Sequence, residues 1–160
     1  MNYRTFLIAG FASFFIIACD SRPNVPKGEE TKFLFAMKSA QTLGDVTGNL
    51  VLNADGIHIH PGATTPTTVS FNLNGKIKTI TYKPYIAKLD ANGLNKPEAG
   101  IVGFEVVVDG KPMGKQQVDR TTNIEKTINL DGAKLLEFQV DNGNGTPAWD
   151  WFEIQVISIK

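Results

Sequence analysis

The chain holds a single cysteine in 160 residues, Cys19, so it can build no internal disulfide, no cysteine-rich zinc cluster and no paired-thiol redox site. It also lacks an excess of either charge. Lys and Arg number 16 against 16 Asp and Glu, which leaves no basic face for nucleic acid and no acidic tail. Catalytic signatures are missing as well: there is no G-x-S-x-G elbow, no H-E-x-x-H, no phosphate loop and no dinucleotide fingerprint. A carboxylate pair for glycoside hydrolysis stays open in principle, but no acids stand out for it. The expectation is a protein that is not an enzyme. No segment sustains a helical period, and no internal repeat is visible. What remains is a neutral chain of 42% hydrophobic content, an ordinary value for a domain that stands on its apolar core.

The cysteine has an informative address. Arg4 is followed by an uncharged run from Thr5 to Ala18, and Ile16-Ile17-Ala18-Cys19 closes it. That run is short of the roughly 20 apolar residues that span a bilayer comfortably, and it has the flanks of a secretory signal. It resembles the lipobox of bacterial lipoproteins, which implies that Cys19 is lipidated and becomes the first mature residue. Two or more acyl chains hold a protein stably, since each buried methylene contributes about 0.8 kcal/mol. The expectation is a lipid-anchored protein of the bacterial cell envelope, facing the periplasm. Asp20, directly after the cysteine, resembles the inner-membrane retention signal of enteric bacteria and tilts the expectation towards that membrane.

Three regions follow. Residues 1–19 form the signal ending at the lipidated cysteine, and 20–31, with Pro23, Pro26 and Gly28, form a tether. Residues 32–160 form the domain. There, short runs of β-branched and aromatic residues alternate with turn residues, as in an all-β protein. The runs are 33–37, 49–53, 56–60, 67–73, 76–83, 85–89, 101–108, 124–130, 135–140 and 152–159. Val69, Phe71 and Leu73 share one face of their strand. Asn74-Gly75 and Asp109-Gly110 are two-residue hairpin signals, because both central positions of a type I′ turn need φ > 0. Ile77 and Thr79 fall out of step with Ile80 and Tyr82, which suggests a bulge. A segment around Met37 to Leu43 is the best helical rival. Nine or ten strands predict an antiparallel, jelly-roll-like β-sandwich.

The order of several motifs carries a second resemblance. Gly56-Ile57-His58-Ile59-His60, then Val69-Ser70-Phe71-Asn72-Leu73-Asn74-Gly75-Lys76, is followed by Gly103-Phe104-Glu105-Val106-Val107-Val108-Asp109-Gly110-Lys111. Asp131-Gly132-Ala133-Lys134-Leu135-Leu136-Glu137-Phe138-Gln139-Val140 and Asp150-Trp151 complete the set. Together, over about residues 43–160, they resemble the NPCBM-type carbohydrate-binding modules appended to glycoside hydrolases. The resemblance implies a galactose-binding-like sandwich and a carbohydrate partner. Tyr82 to Leu89 replaces the family's Gly-containing turn, and Thr146-Pro147 stands where an acid is common.

Sugar recognition needs an aromatic face for the C–H side of a pyranose and polar groups for its hydroxyls. The stretch from Asp141 to Trp151 offers both, with Asn142, Asn144 and Asp150 as polar groups and two glycines that let backbone approach a ligand. The alternative is a plain polar loop with its tryptophans in the core. Trp151 fits the family's D-W position and is expected to pack, which leaves Trp149 as the platform. His60 matches the family histidine and is expected to bond within a loop or touch ligand. His58 and His60 share a strand face in a metal-binding H-x-H spacing, but only Asp55 is at hand as a third ligand. Structural calcium is a separate option, with oxygen-rich stretches at Asp90-Ala91-Asn92-Gly93 and Asp141-Asn142-Gly143-Asn144. The leading expectation is a tethered lipoprotein that binds cell-wall or exogenous glycan; the alternative is a structural or protein-interaction lipoprotein that uses the same sandwich.

Overall fold

The computed structural model describes residues 23–45, 48–87, 100–143 and 150–160. Cys19 lies outside them. Among the described residues one short helix, α1 (Glu30–Ala36), precedes eleven strands: β1 (Lys38–Thr42), β2 (Asn49–Leu52), β3 (Ile57–His60), β4 (Thr67–Asn72), β5 (Thr79–Ile86), β6 (Val102–Val108), β7 (Lys111–Pro112), β8 (Gln116–Val118), β9 (Lys126–Asn129), β10 (Leu135–Asn142) and β11 (Phe152–Ile159). The first sheet runs β1-β4-β10-β6-β7 with β8 also on β6, and the second runs β2-β3-β11-β5-β9. Every pairing is antiparallel. The chain passes between sheets at β1 to β2, β3 to β4, β4 to β5, β5 to β6, β8 to β9, β9 to β10 and β10 to β11. This is the antiparallel β-sandwich the strand pattern predicts.

The core lies between the sheets. Phe71, Phe104, Phe138 and Phe152 are fully buried, and their rings meet at centroid distances of 5.3 Å (Phe71–Phe138), 5.6 Å (Phe104–Phe138) and 5.0 Å (Phe104–Phe152). Such offset and edge contacts add about 0.5–1.5 kcal/mol per pair beyond area burial. Val69, Phe71 and Leu73 all face inward, as their alternation requires.

Four sequence expectations need correction. Residues 33–37 are helical up to Ala36 instead of forming the first strand. A short apolar run does not distinguish the two periods by itself, and here Leu34 alone is fully buried while its neighbours pack around it. The helical rival at 37–43 is instead β1, a fully exposed edge strand with no apolar alternation to reveal it. Asn74 and Gly75 do have left-handed φ of 52° and 68°, but β4 and β5 belong to different sheets, so the turn closes no hairpin. The Gly75 amide donates to the Ala133 carbonyl instead. Asp109-Gly110 does close β6 onto β7, and the Asp109 carboxylate also accepts from the amides of Lys134 and Leu135. Finally, the bulge sits on β11, between Val156 and Ser158, opposite the strand expected to carry it. There the Val156 amide donates to the Thr31 hydroxyl at 3.1 Å, which ties α1 to the sheet.

Pro84 is tolerated inside β5 because β9 pairs with that strand only as far as Tyr82. For function, the parity of the second sheet matters most. Ile57 and Ile59 of β3 point into the core, as do Phe152 and Ile154 of β11. His58, His60 and Glu153 therefore lie on the outer face.

Candidate functional site

The register brings His58, Glu153 and Tyr85 into one row across β3, β11 and β5, since Glu153 is the cross-strand partner of both His58 and Tyr85. Glu153 is only 8% exposed although it stands on the outer face. Its carboxylate accepts from the Tyr85 hydroxyl at 2.5 Å and from Asn53 Nδ2 at 2.8 Å. Burial, and then the bond to Glu153, pushes the Tyr85 phenol well above its ordinary value, so it stays a donor. The His58 imidazole is held below its ordinary value by burial, with Glu153 opposing and His60 adding to the effect. Its Nδ1 lies 3.9 Å from Glu153 Oε1, too far for a hydrogen bond, and is buried without a partner.

Trp151 borders this row. It is 44% exposed, and its ring centroid lies 5.4 Å from that of His58. The expectation that it packs in the core is therefore wrong. The reason is parity: Phe152 takes the inward position at the start of β11, and its neighbour turns outward. His60 stands 6.3 Å beyond His58. Its Nδ1 bonds the Pro61 carbonyl at 2.8 Å. A carbonyl only accepts, so Nδ1 donates in this bond and Nε2 points away from it. The buried Thr67 hydroxyl fixes the strand end, accepting from the Gly44 amide and donating to the His60 carbonyl. The Asp45 carboxylate clasps the adjoining loop through the Thr64 amide and hydroxyl.

Of the other expected site residues, Asp150 and Asn142 are not brought to this face. Asp150 has 0% exposure, so it touches no ligand. Its Oδ1 accepts from the amides of Gly100 and Ile101, which fastens the chain before β6 to the start of β11. Burial raises its pKa to about 6, against the lowering by those amides and His60. Asn142 ends β10 in the first sheet and lines a separate cleft of about 330 Å³ with Gly103, Lys115 and Asp141. Asn144, Trp149 and the Asp90–Gly93 stretch lie outside the described residues. Asp141 is engaged by Lys115 at 2.6 Å. The two histidines do share a face, but among the described residues no group of three His, Cys, Asp or Glu is placed to hold a metal.

His58, Glu153, Tyr85 and Asn53 were not expected as partners in one site. The available signal was Glu153 itself, the one acid within the apolar run of β11, two residues beyond a tryptophan. Its partners depend on long-range register, which local pattern does not carry.

No protein-family model matches the chain, and no curated protein matches it. Solved structures do. The CBM51 module of Clostridium perfringens GH95, solved with methyl-galactose, superposes with a TM-score of 0.52 at 16% identity, over 75% of this chain and 79% of that one. The second CBM51 module of C. perfringens ZmpB, solved with GlcNAc and with the adjoining INT domains, gives 0.55 at 17% identity, over 76% of this chain and 29% of that one. The tandem CBM51 modules of Streptococcus pneumoniae Sp3GH98 give 0.52 at 20% identity, over 74% and 34%. The chain thus spans about a third or less of the two longer proteins. The likeness establishes the shared β-sandwich fold.

Proposed function

We propose that this protein is a non-catalytic, lipid-anchored carbohydrate-binding module, held in the cell envelope through Cys19, and that sugar docks on the outer face of its second sheet. The observation that carries this reading is Trp151, a half-exposed indole set beside a row of ordered polar groups. An indole face suits the C–H side of a pyranose, and His60 Nε2 and the Glu153–Tyr85–Asn53 cluster suit its hydroxyls. The structural neighbours solved with methyl-galactose and GlcNAc support a sugar of that kind. The Glu153 carboxylate is already occupied by two donors, which suits it to holding a fixed geometry rather than to attacking or protonating a substrate. A glycan array probed with the chain lacking residues 1–19 tests the reading. Binding to galactose- or GlcNAc-terminated glycans that Trp151→Ala abolishes is expected. An array without a single hit, together with recovery of one protein partner in stoichiometric amount, would favour the protein-interaction alternative. Radiolabelled palmitate incorporated by the full chain and lost in Cys19→Ala tests the anchor.

A further inference from the structure

We infer that the site holds an extended neutral oligosaccharide rather than a single terminal sugar, with a second subsite in the groove between α1 and the β2–β3 turn. The inference rests on the sugar-binding reading of Trp151 and deepens it. Along β11, residues two apart share a face, so Trp151, Glu153 and Gln155 stand in line on the outer surface. Gln155 is exposed, and the line from Trp151 to it spans roughly 13 Å at the usual strand rise. At its far end lies a cavity of about 260 Å³, lined among others by Lys27, Glu30, Thr31, Asn53, Asp55 and Gln155.

Three features make this groove part of the same surface. Asn53 belongs to both: it lines the cavity, and its amide donates to Glu153 in the middle of the row. The pairing of β3 with β11 covers only Glu153 and Ile154, and beyond Ile154 the first turn of α1 comes against β11, where Thr31 accepts from the Val156 amide. The wall is ordered, with the Glu30 carboxylate accepting the Gly28 amide at 2.7 Å and Thr31 bonded to Val156. The chemistry of the wall selects the ligand. Lys27, Glu30 and Asp55 line the groove, and the Lys32 ammonium there is taken up by Glu29 at 3.1 Å, so the wall offers no excess of positive charge and favours hydroxyls and amides over a uronic or sialic acid. The segment between the anchor and the sandwich therefore serves as one side of the binding site as well as a spacer.

Isothermal titration of the full chain in detergent, with galactose- and GlcNAc-terminated oligosaccharides of one to four units, tests this. Affinity is expected to rise about tenfold from one unit to four, the gain of one or two added hydrogen bonds. Gln155→Ala should remove most of that gain and leave the monosaccharide affinity unchanged. Gln155 is exposed, so the variant should fold; a circular-dichroism melt matching the parent confirms it. Equal affinity for one and four units overturns the inference, as does an acidic tetrasaccharide that binds more tightly than the neutral one. If Trp151→Ala leaves every affinity intact, the Trp151 reading fails and the groove proposal falls with it. If Trp151→Ala abolishes binding while length has no effect, only the groove fails.

Discussion

Glu153 and His58 are direct cross-strand partners on β11 and β3, yet they do not hydrogen-bond, and the carboxylate turns to Tyr85 and Asn53 instead. A buried carboxylate with two donors is costly to truncate, because the donors keep their desolvation penalty when it goes. Glu153→Ala should destabilise the domain by about 2–4 kcal/mol, and Tyr85→Phe by about 1–3 kcal/mol. Urea unfolding of both single variants and the double variant gives the coupling. The Tyr85→Phe cost should nearly vanish once Glu153 is absent, and two fully additive losses would show that the bond contributes nothing.

His58 and Asp150 should act on stability in opposite directions as pH falls. The folded pKa of His58 lies below its ordinary value of 6.5, so the unfolded chain takes up this proton first. Its contribution is complete above about pH 6.5 and is lost as pH falls through that value towards the lowered folded pKa. Asp150 is the reverse case, raised from 3.8 to about 6 when folded. The folded state takes up that proton first, so the contribution of Asp150 grows as pH falls from above 6 towards 4 and is missing at neutral pH. Asp150→Asn should uncover a fall in stability on acidification, and His58→Phe should uncover a rise. Profiles parallel to the parent in both variants would contradict this assignment.

Parity separates two neighbouring aromatics, and it also marks how much the sequence alone could say. Phe152 is fully buried among other phenylalanines, whereas Trp151 faces outward. Phe152→Ala should cost about 3–5 kcal/mol in chemical unfolding, and Trp151→Ala no more than about 1 kcal/mol. Equal losses would place both rings in the core. The strand pattern of 152–159 was legible from its apolar alternation, and extending that alternation back by one residue would have put Trp151 on the outer face. Most strands were legible for the same reason, because an apolar-in, polar-out period needs only local information. α1 and β1 were not. Leu34 supplies too short an apolar signal to separate helix from strand, and Lys38–Thr42 is an exposed edge with no inward residues at all. The polar row was the least legible feature. His58, Glu153 and Tyr85 are far apart in sequence and meet only through the register of β11 with β3 and β5.

Gly100 gives a sharper test of how the two sheets are fastened beside the site. Its φ of +76° lies in the left-handed region, and a Cβ there would come within 2.8 Å of Ile86 Cγ2, a methyl on a buried strand residue. Its amide is one of the two donors to Asp150. Gly100→Ala therefore adds backbone strain of about 1–2 kcal/mol and displaces a buried contact at the same point. The total loss should be about 2–4 kcal/mol in urea unfolding. Displacing the amide also removes one of the interactions that hold the Asp150 pKa down, so the variant should gain stability on acidification from pH 7 to 5 more steeply than the parent. Gly110→Ala is the control, because its φ of +77° carries the same backbone strain while a Cβ there meets nothing within 4 Å. It should cost only the strain and leave the pH profile unchanged. If the two variants lose the same stability and share the parent's pH profile, Gly100 serves only its own turn and Asp150 is held from elsewhere.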